Sequence, residues 1–231
     1  MAMSSDMTRR VFLGTVGATA LAASTGQAVA ADADTPKSGT LKILGIACSP
    51  RPGKTTAAAV KVALDAAEAV GPAIETELVE LAGMNIPVFD PAAPGSADFE
   101  KVAAKLIDPK VAGIIVGTPV YFGSMSSLCK AFLDRFIALR KDNFALANKV
   151  AGVVAVGGMR NGGQELTIQT VQAALLAQEM ILVGDGRPTA HRGATLWNQG
   201  DDISKDELGL STARNLGRRV AEVALALRRP A

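Results

Sequence analysis

The run Leu41-Lys42-Ile43-Leu44-Gly45-Ile46-Ala47-Cys48-Ser49-Pro50-Arg51-Pro52-Gly53-Lys54-Thr55-Thr56 decides the fold. Its first seven residues are apolar or glycine apart from Lys42, and turn residues bound them, as in a buried strand. The Ser-Pro-Arg-Pro-Gly turn at 49–53 follows. From Thr55 to Val70, Ala57, Val60, Leu64 and Ala67 recur at helical spacing. The stretch therefore reads strand, turn, helix. Hydroxyls, free backbone N–H groups and a helix amino terminus together make a site for a phosphate. Gly53-Lys54-Thr55 also ends the phosphate loop of nucleotide triphosphatases. That motif requires a glycine five residues before Gly53, where Cys48 stands. It is also accompanied by a strand ending in a Mg²⁺-holding acid. The apolar strands here end in Gly117-Thr118-Pro119 and Gly157-Gly158, so a P-loop NTPase is a remote alternative. Lys54 then reads as a helix-start lysine facing solvent or the rim of the phosphate.

The same alternation continues along the chain. Strands are predicted over Ile74–Leu81, Val111–Gly117, Val150–Val156 and Met180–Val183, the first of them near a sheet edge. Helices are predicted over Ala97–Ile107, Ser126–Leu139, Gln164–Glu179 and Lys205–Arg228. Residues 83–96, rich in Pro and Gly, form a long loop. Strand and helix in strict alternation, without internal repeat or second boundary, imply a doubly wound α/β domain with a parallel sheet. Ligands of such sheets bind beyond the carboxyl ends of the strands. The loops after the first, third and fourth strands are therefore where function belongs.

Composition agrees with one such domain. Of the 231 residues 48% are hydrophobic but only 4% aromatic, which suits small aliphatic helices packed on a parallel sheet. The formal net charge of +2 lacks the basic stripe of a nucleic-acid binder. The first thirty residues read as an address. Thr8-Arg9-Arg10-Val11-Phe12-Leu13 leads into an uncharged run from Val11 to Ala23, shorter than the roughly 20 apolar residues of a membrane span. Ala28-Val29-Ala30 then offers the small residues of a cleavage site. Paired arginines before such a run are similar to a twin-arginine signal, which implies export of the folded protein to the periplasm, with no stable membrane insertion after cleavage. An ordinary secretory signal is the alternative. Loss of 1–30 removes Asp6, Arg9 and Arg10 and leaves a net charge of +1. Residues 31–39 read as a flexible linker, and 40–231 as the globular domain. Cys48 and Cys129 are the only cysteines, so no disulfide scaffold is present.

The second loop, Gly117-Thr118-Pro119-Val120-Tyr121-Phe122-Gly123-Ser124-Met125, carries two adjacent aromatics. Two readings stand: Tyr121 and Phe122 cap the sheet or fill a subunit contact, or they form a flat apolar bed for a ring. The third, Gly157-Gly158-Met159-Arg160-Asn161-Gly162-Gly163-Gln164-Glu165, has four glycines around an Arg-Asn turn, which lets backbone approach a ligand before a helix begins.

Taken in order and spacing, SPRPGKTT, TPVYFGSMSSLCKAFLDR and GGMRNGGQE resemble the NAD(P)H-dependent FMN reductase and iron–sulfur flavoprotein branch of the flavodoxin-like superfamily. The similarity runs from Leu41 to Ala221 and includes Lys205-Asp206-Glu207-x-Gly209-Leu210. It implies a flavodoxin-like five-stranded parallel sheet of order 2-1-3-4-5 in three α/β/α layers. It further implies that Ser49, Arg51, Thr55 and Thr56 hold the FMN phosphate; relatives carry Asn-Thr where this chain has Thr55-Thr56. Pro119, Val120, Tyr121, Phe122 and Gly123 would border the isoalloxazine ring. Gly157, Gly158, Asn161, Gly162 and Gly163 would line its other edge, with Arg160 reaching the flavin or a second substrate.

Iron–sulfur members carry a compact cysteine cluster after the second strand, where residues 81–90 here contain none. Two distant cysteines cannot supply four ligands, so FMN is expected without a cluster, and Cys48 and Cys129 read as small buried residues. The implied activity is two-electron transfer from NAD(P)H to a quinone, flavin or similar acceptor, in a homodimer or homotetramer. An exported flavodoxin-like electron carrier without nicotinamide activity is the alternative, because export separates the protein from reduced nicotinamide. No Ser-His-Asp, paired-carboxylate or metal constellation appears, and the flavin itself would carry the chemistry. His191 and Trp197 stay outside the predicted catalytic set.

Overall fold

In a computed structural model, the structure describes residues 39–93 and 95–228. The signal expected at 1–30, and the linker expected at 31–39 except for Gly39, lie outside the described residues. Four strands, β1 (Leu41–Ala47), β2 (Ile74–Glu80), β3 (Val111–Tyr121) and β5 (Val150–Gly157), build the parallel sheet. A short arm, β4 (Ser124–Met125), folds back antiparallel on the end of β3. The last strand is divided: β6 (Ile181–Leu182) pairs with Val150–Ala151, and β7 (Ala194–Trp197) pairs with Val154–Gly157. The path is β2-β1-β3-β5-β6, with β7 continuing beside β5, which is the expected flavodoxin-like order.

Two details differ from the sequence reading. The strand expected at Met180–Val183 is only half of the fifth strand, because residues 183–193 loop out before β7. Asp185, fully buried in that loop, accepts hydrogen bonds from Thr189 Oγ1 and from the His191 amide, so the excursion is held by its own carboxylate. The helix expected at Ser126–Leu139 is broken into α3 (Ser127–Asp134) and α4 (Ile137–Lys141). Phe132 and Phe136 pack edge to face at 5.0 Å with Phe99 beside them, while Arg135 donates to Pro87 O at 3.1 Å. The chain turns there to seat both rings and the guanidinium.

Strands buried on both faces explain why they read as continuous apolar runs. Leu44, Ile46, Ile114, Val116 and Val153 face a core shared with α2 (Ala97–Leu106), α3 and α5 (Gln164–Leu176). Ile43, Ile115, Val154 and Val156 face a second core under α1 (Thr55–Glu68) and α6 (Glu207–Arg228). These two helices approach so closely that a Cβ on Gly217 would lie 1.8 Å from Ala63 O. All helix starts that follow β1 and β5 therefore point to one end of the sheet. No helix among the described residues is long and apolar enough to cross a membrane.

Candidate functional site

The loop from β1 to α1 packs its hydroxyls inward. Ser49, Thr55 and Thr56 are buried, and Ser49 Oγ accepts the Arg51 amide at 3.1 Å, which closes the turn. The residue preceding α1 is Lys54, which provides no side-chain cap, and the first turn holds no acidic residue. The contrast with α2 and α3 is direct: Ser96 accepts from Phe99 N and Ser126 from Cys129 N. The first amides of α1 thus meet the buried hydroxyls without a side-chain acceptor, the arrangement that favours an anion. Ser126 Oγ also donates to Cys48 O at 2.6 Å, and Thr118 Oγ1 accepts Ser126 N at 3.0 Å. These bonds tie the first loop to the second.

The second loop is a hairpin rather than an irregular turn. Strand β3 continues past Gly117, pairing Thr118 with Ala155 and Pro119 with Val156. It then reverses through Phe122 and Gly123, whose φ values are 52° and 75°. Two successive residues with positive φ are the signature of the tightest hairpin turn, in which Asn-Gly is the favoured pair. A phenylalanine held there, with its ring fully exposed at 110%, is strained and costly to display. Tyr121 beside it is also exposed.

The third loop is shaped by Gln164. Its Nε2 donates to Met159 O at 2.6 Å and to Leu196 O at 3.2 Å, while its Oε1 accepts Gly162 N at 2.8 Å. A Cβ on Gly157 would sit 2.5 Å from that Nε2, so a side chain there would push the Gln164 amide from its place. Helix α5 starts after Gly163, again without a side-chain cap. A Cβ on Gly163 would lie 3.0 Å from Gly123 Cα, so hairpin tip and third loop touch. Gly158 and Asn161 are exposed on the open side.

A fourth segment, 198–206 between β7 and α6, completes the end of the sheet. Asn198 N donates to Gly157 O at 2.8 Å, and Trp197 Nε1 donates to Gly158 O at 3.0 Å. Asp206, buried, accepts Trp197 N at 2.7 Å and Gly209 N at 2.9 Å, and pairs with Arg160. At the opposite side Asp201 pairs with Arg51 at 2.7 Å and with Lys54 at 3.4 Å. This segment crosses from the first loop to the third.

The structure brings the predicted residues to one end of the sheet: Ser49, Thr55 and Thr56 in the interior of the first loop, Pro119 to Gly123 on the hairpin, and Gly157 to Gly163 around Gln164. Arg51 is turned outward onto Asp201. Arg160 lies on Asp206, within 3.4 Å of Thr195 O, where it anchors the third loop, and burial lowers its pKa. Sequence reasoning passed over Gln164, Asp201 and Asp206. Only Asp206 left a signal, an acid two residues before Leu208 and three before Gly209 at the start of a helix.

The chain matches the NADPH-dependent FMN reductase family over residues 41–195. It belongs to that family. An iron–sulfur flavoprotein of Methanocaldococcus jannaschii is 44% identical over 192 residues, covering 79% of this chain and 97% of that protein. An NAD(P)H dehydrogenase (quinone) of Paracoccus denitrificans is 38% identical over 131 residues, 49% of this chain and 62% of that one. Among solved structures, a flavodoxin, WrbA-like protein of Agrobacterium tumefaciens superposes with a TM-score of 0.60 at 20% identity, covering 81% of this chain and 99% of that one. RosB, with a bound riboflavin-phosphate intermediate, gives 0.64 at 18% identity, covering 81% and 80%. These structures share the fold.

The site of this FMN reductase family member fits the cofactor. Uncapped amides and three buried hydroxyls suit a phosphate, and the exposed Tyr121 and Phe122 sit on the hairpin whose Gly123 touches Gly163 of the third loop. A Cβ on Gly158 would meet nothing within 4 Å, so backbone there is open to a ligand. Asn198 Oδ1, in the crossing segment, is buried without a hydrogen-bond partner.

Proposed function

We propose that the protein is an FMN-dependent oxidoreductase that accepts two electrons from NADPH or NADH and delivers them to a quinone, a flavin or a related acceptor. The observation that carries this reading is the uncapped start of α1 over Ser49, Thr55 and Thr56, at the same end of the sheet as an exposed aromatic hairpin. Bound FMN supplies a ring that takes up a hydride equivalent and passes electrons on. The chain's own residues bind and orient it. The hydroxyls and amides of the first loop take the phosphate. Tyr121, Phe122 and the glycines of 157–163 border the ring, with Gln164 and Asp206 fixing the third loop. The two cysteines are too few to hold a cluster of the kind named in the archaeal relatives.

The twin-arginine stretch at Arg9-Arg10 supports export to the periplasm before the protein acts, and the exposed Phe122, Met159 and Leu166 around the site support a homodimer or homotetramer. An exported electron carrier is the second reading, favoured by that same arginine pair. Purified protein is expected to show the absorbance of oxidised flavin and to bleach when mixed anaerobically with NADPH or NADH. Flavin that resists both nucleotides supports the carrier, and a protein that refuses FMN but binds ATP with Mg²⁺ overturns both readings. Replacing Arg9 and Arg10 by Lys is expected to trap the precursor in the cell; unimpaired export would reject the twin-arginine route.

A further inference from the structure

The first loop offers its outward donors to carboxylates. Gly53 N donates to Glu80 Oε2 at 2.7 Å, from the end of β2. Arg51 Nη1 lies 2.7 Å from Asp201 Oδ1, and Lys54 Nζ lies 3.4 Å from Asp201 Oδ2. One carboxylate thus engages both cations of the loop from a residue 150 positions away in sequence. The segment that delivers it is firmly based. Asp206 holds the Trp197 amide on one side and the start of α6 on the other. Gly200 and Asp201 then turn through left-handed backbone, with φ of 66° and 65°, so that Asp201 stands over Arg51.

A phosphate bound on Ser49, Thr55 and Thr56 cannot share Arg51 with a carboxylate at no cost. Two anions beside each other repel, whereas exchange of one for the other keeps the local charge balanced. Exchange is also energetically accessible, since the Arg51–Asp201 pair is nearly half exposed and such pairs are weak. Asp201 meets Arg51 through a single oxygen, whereas a phosphate can accept from the guanidinium in a bidentate geometry.

Resting on the phosphate-loop reading above, we propose that Asp201 is an internal competitor for the phosphate site: an anion that holds Arg51 and Lys54 in the cofactor-free protein and yields Arg51 to the FMN phosphate. An anion without further anchorage, such as inorganic phosphate, has to displace the tethered carboxylate unaided. FMN brings the binding of its ring to the same exchange. Asp201 thereby weakens both ligands by the same factor, so that a free phosphate no longer fills the site while FMN, held also by its ring, still does.

The test is flavin titration of the full chain, stripped of its cofactor, followed by quenching of flavin fluorescence, with FMN and riboflavin as paired probes. Asp201→Asn keeps a residue that tolerates left-handed backbone and removes the charge. FMN is expected to bind about two- to fivefold more tightly to this variant, the range for release of an exposed ion pair, with riboflavin unchanged. The inhibition constant of inorganic phosphate against FMN is expected to fall by a similar factor in the variant. In an Arg51→Ala background the Asp201→Asn gain is expected to vanish. FMN affinity that is unchanged or weaker in Asp201→Asn overturns the exchange and makes Asp201 a prop for Arg51. If the parent chain binds riboflavin as tightly as FMN, the phosphate-loop assignment fails first and takes the proposal with it.

Discussion

Replacing Asp206 by alanine removes three interactions from one buried position at the edge of the site. The carboxylate is 2% exposed, accepts Gly209 N at 2.9 Å and Trp197 N at 2.7 Å, and pairs with Arg160. Loss of the bond to Gly209 uncaps α6, which costs about 1 kcal/mol. The Trp197 amide is left without its acceptor, a further 1–3 kcal/mol or so when such a group is buried. Breaking a buried ion pair as a whole falls in the same region, about 3–5 kcal/mol, so a loss of about 3 kcal/mol is expected. With a urea slope of about 2 kcal/mol/M, the unfolding midpoint of the flavin-free chain should drop by roughly 1.5 M. FMN affinity should fall in parallel, because Arg160 and Gly158 lose their fixed base. Asp206→Asn, which retains one acceptor oxygen, should lose less. Asp202→Ala is the control: its carboxylate accepts from Ser204 N and Oγ in an exposed turn, and a midpoint close to the parent's is expected. A midpoint for Asp206→Ala that matches Asp202→Ala would refute the role given to the buried carboxylate.

Three further outcomes follow from the packing. Gly217→Ala should cost about 3 kcal/mol in urea unfolding, since its Cβ would meet the Ala63 carbonyl backbone rather than a movable side chain; a neutral result would mean that α6 slides freely on α1. Lys149 donates to Asp108 O and Val111 O, and burial lowers its pKa from 10.5 to about 8. The unfolded chain then binds more protons between about pH 8 and 10.5, so stability should rise across that window by up to about 3 kcal/mol. Below pH 8 the penalty is constant, and Lys149→Met should flatten the profile relative to the parent. Burial, reinforced by the neighbouring Cys129 thiol, pushes the Cys48 thiol well up, and both side chains are inaccessible. A thiol reagent should therefore label neither residue until denaturant is added, and rapid native labelling would contradict the packing under the first loop.

The sheet was readable from sequence because its strands are buried on both faces, so Leu41–Ala47 and Val150–Gly157 appear as unbroken apolar runs with helical spacing between them. The hairpin was less readable. Pro119 reads as a turn residue, yet it pairs with Val156, and the true turn falls on Phe122, a residue seldom found at such a position. The divided strand escaped because Met180–Val183 and Ala194–Trp197 are each plausible strands, and only pairing along β5 shows that they share one partner. The residues that brace the site left the weakest trace. Gln164 acts through carbonyls at 159 and 196, and Asp201 through a cation at 51; sequence displays their charge or polarity but not what faces them. Asp206 alone carried a local pattern, as a cap before α6.

The division of the fifth strand has a further consequence at the margins of the sheet. A long outer strand offers a row of unused amides and carbonyls to which another chain can add. On the β5 side that row is cut into a two-residue and a four-residue piece by the excursion at 183–193. On the opposite side β2 carries Glu75, Glu77 and Glu80, with Glu77 already engaged by Lys42 and Lys105. A second copy laid against β2 would set carboxylate beside carboxylate. Neither border is therefore a template for runaway strand addition.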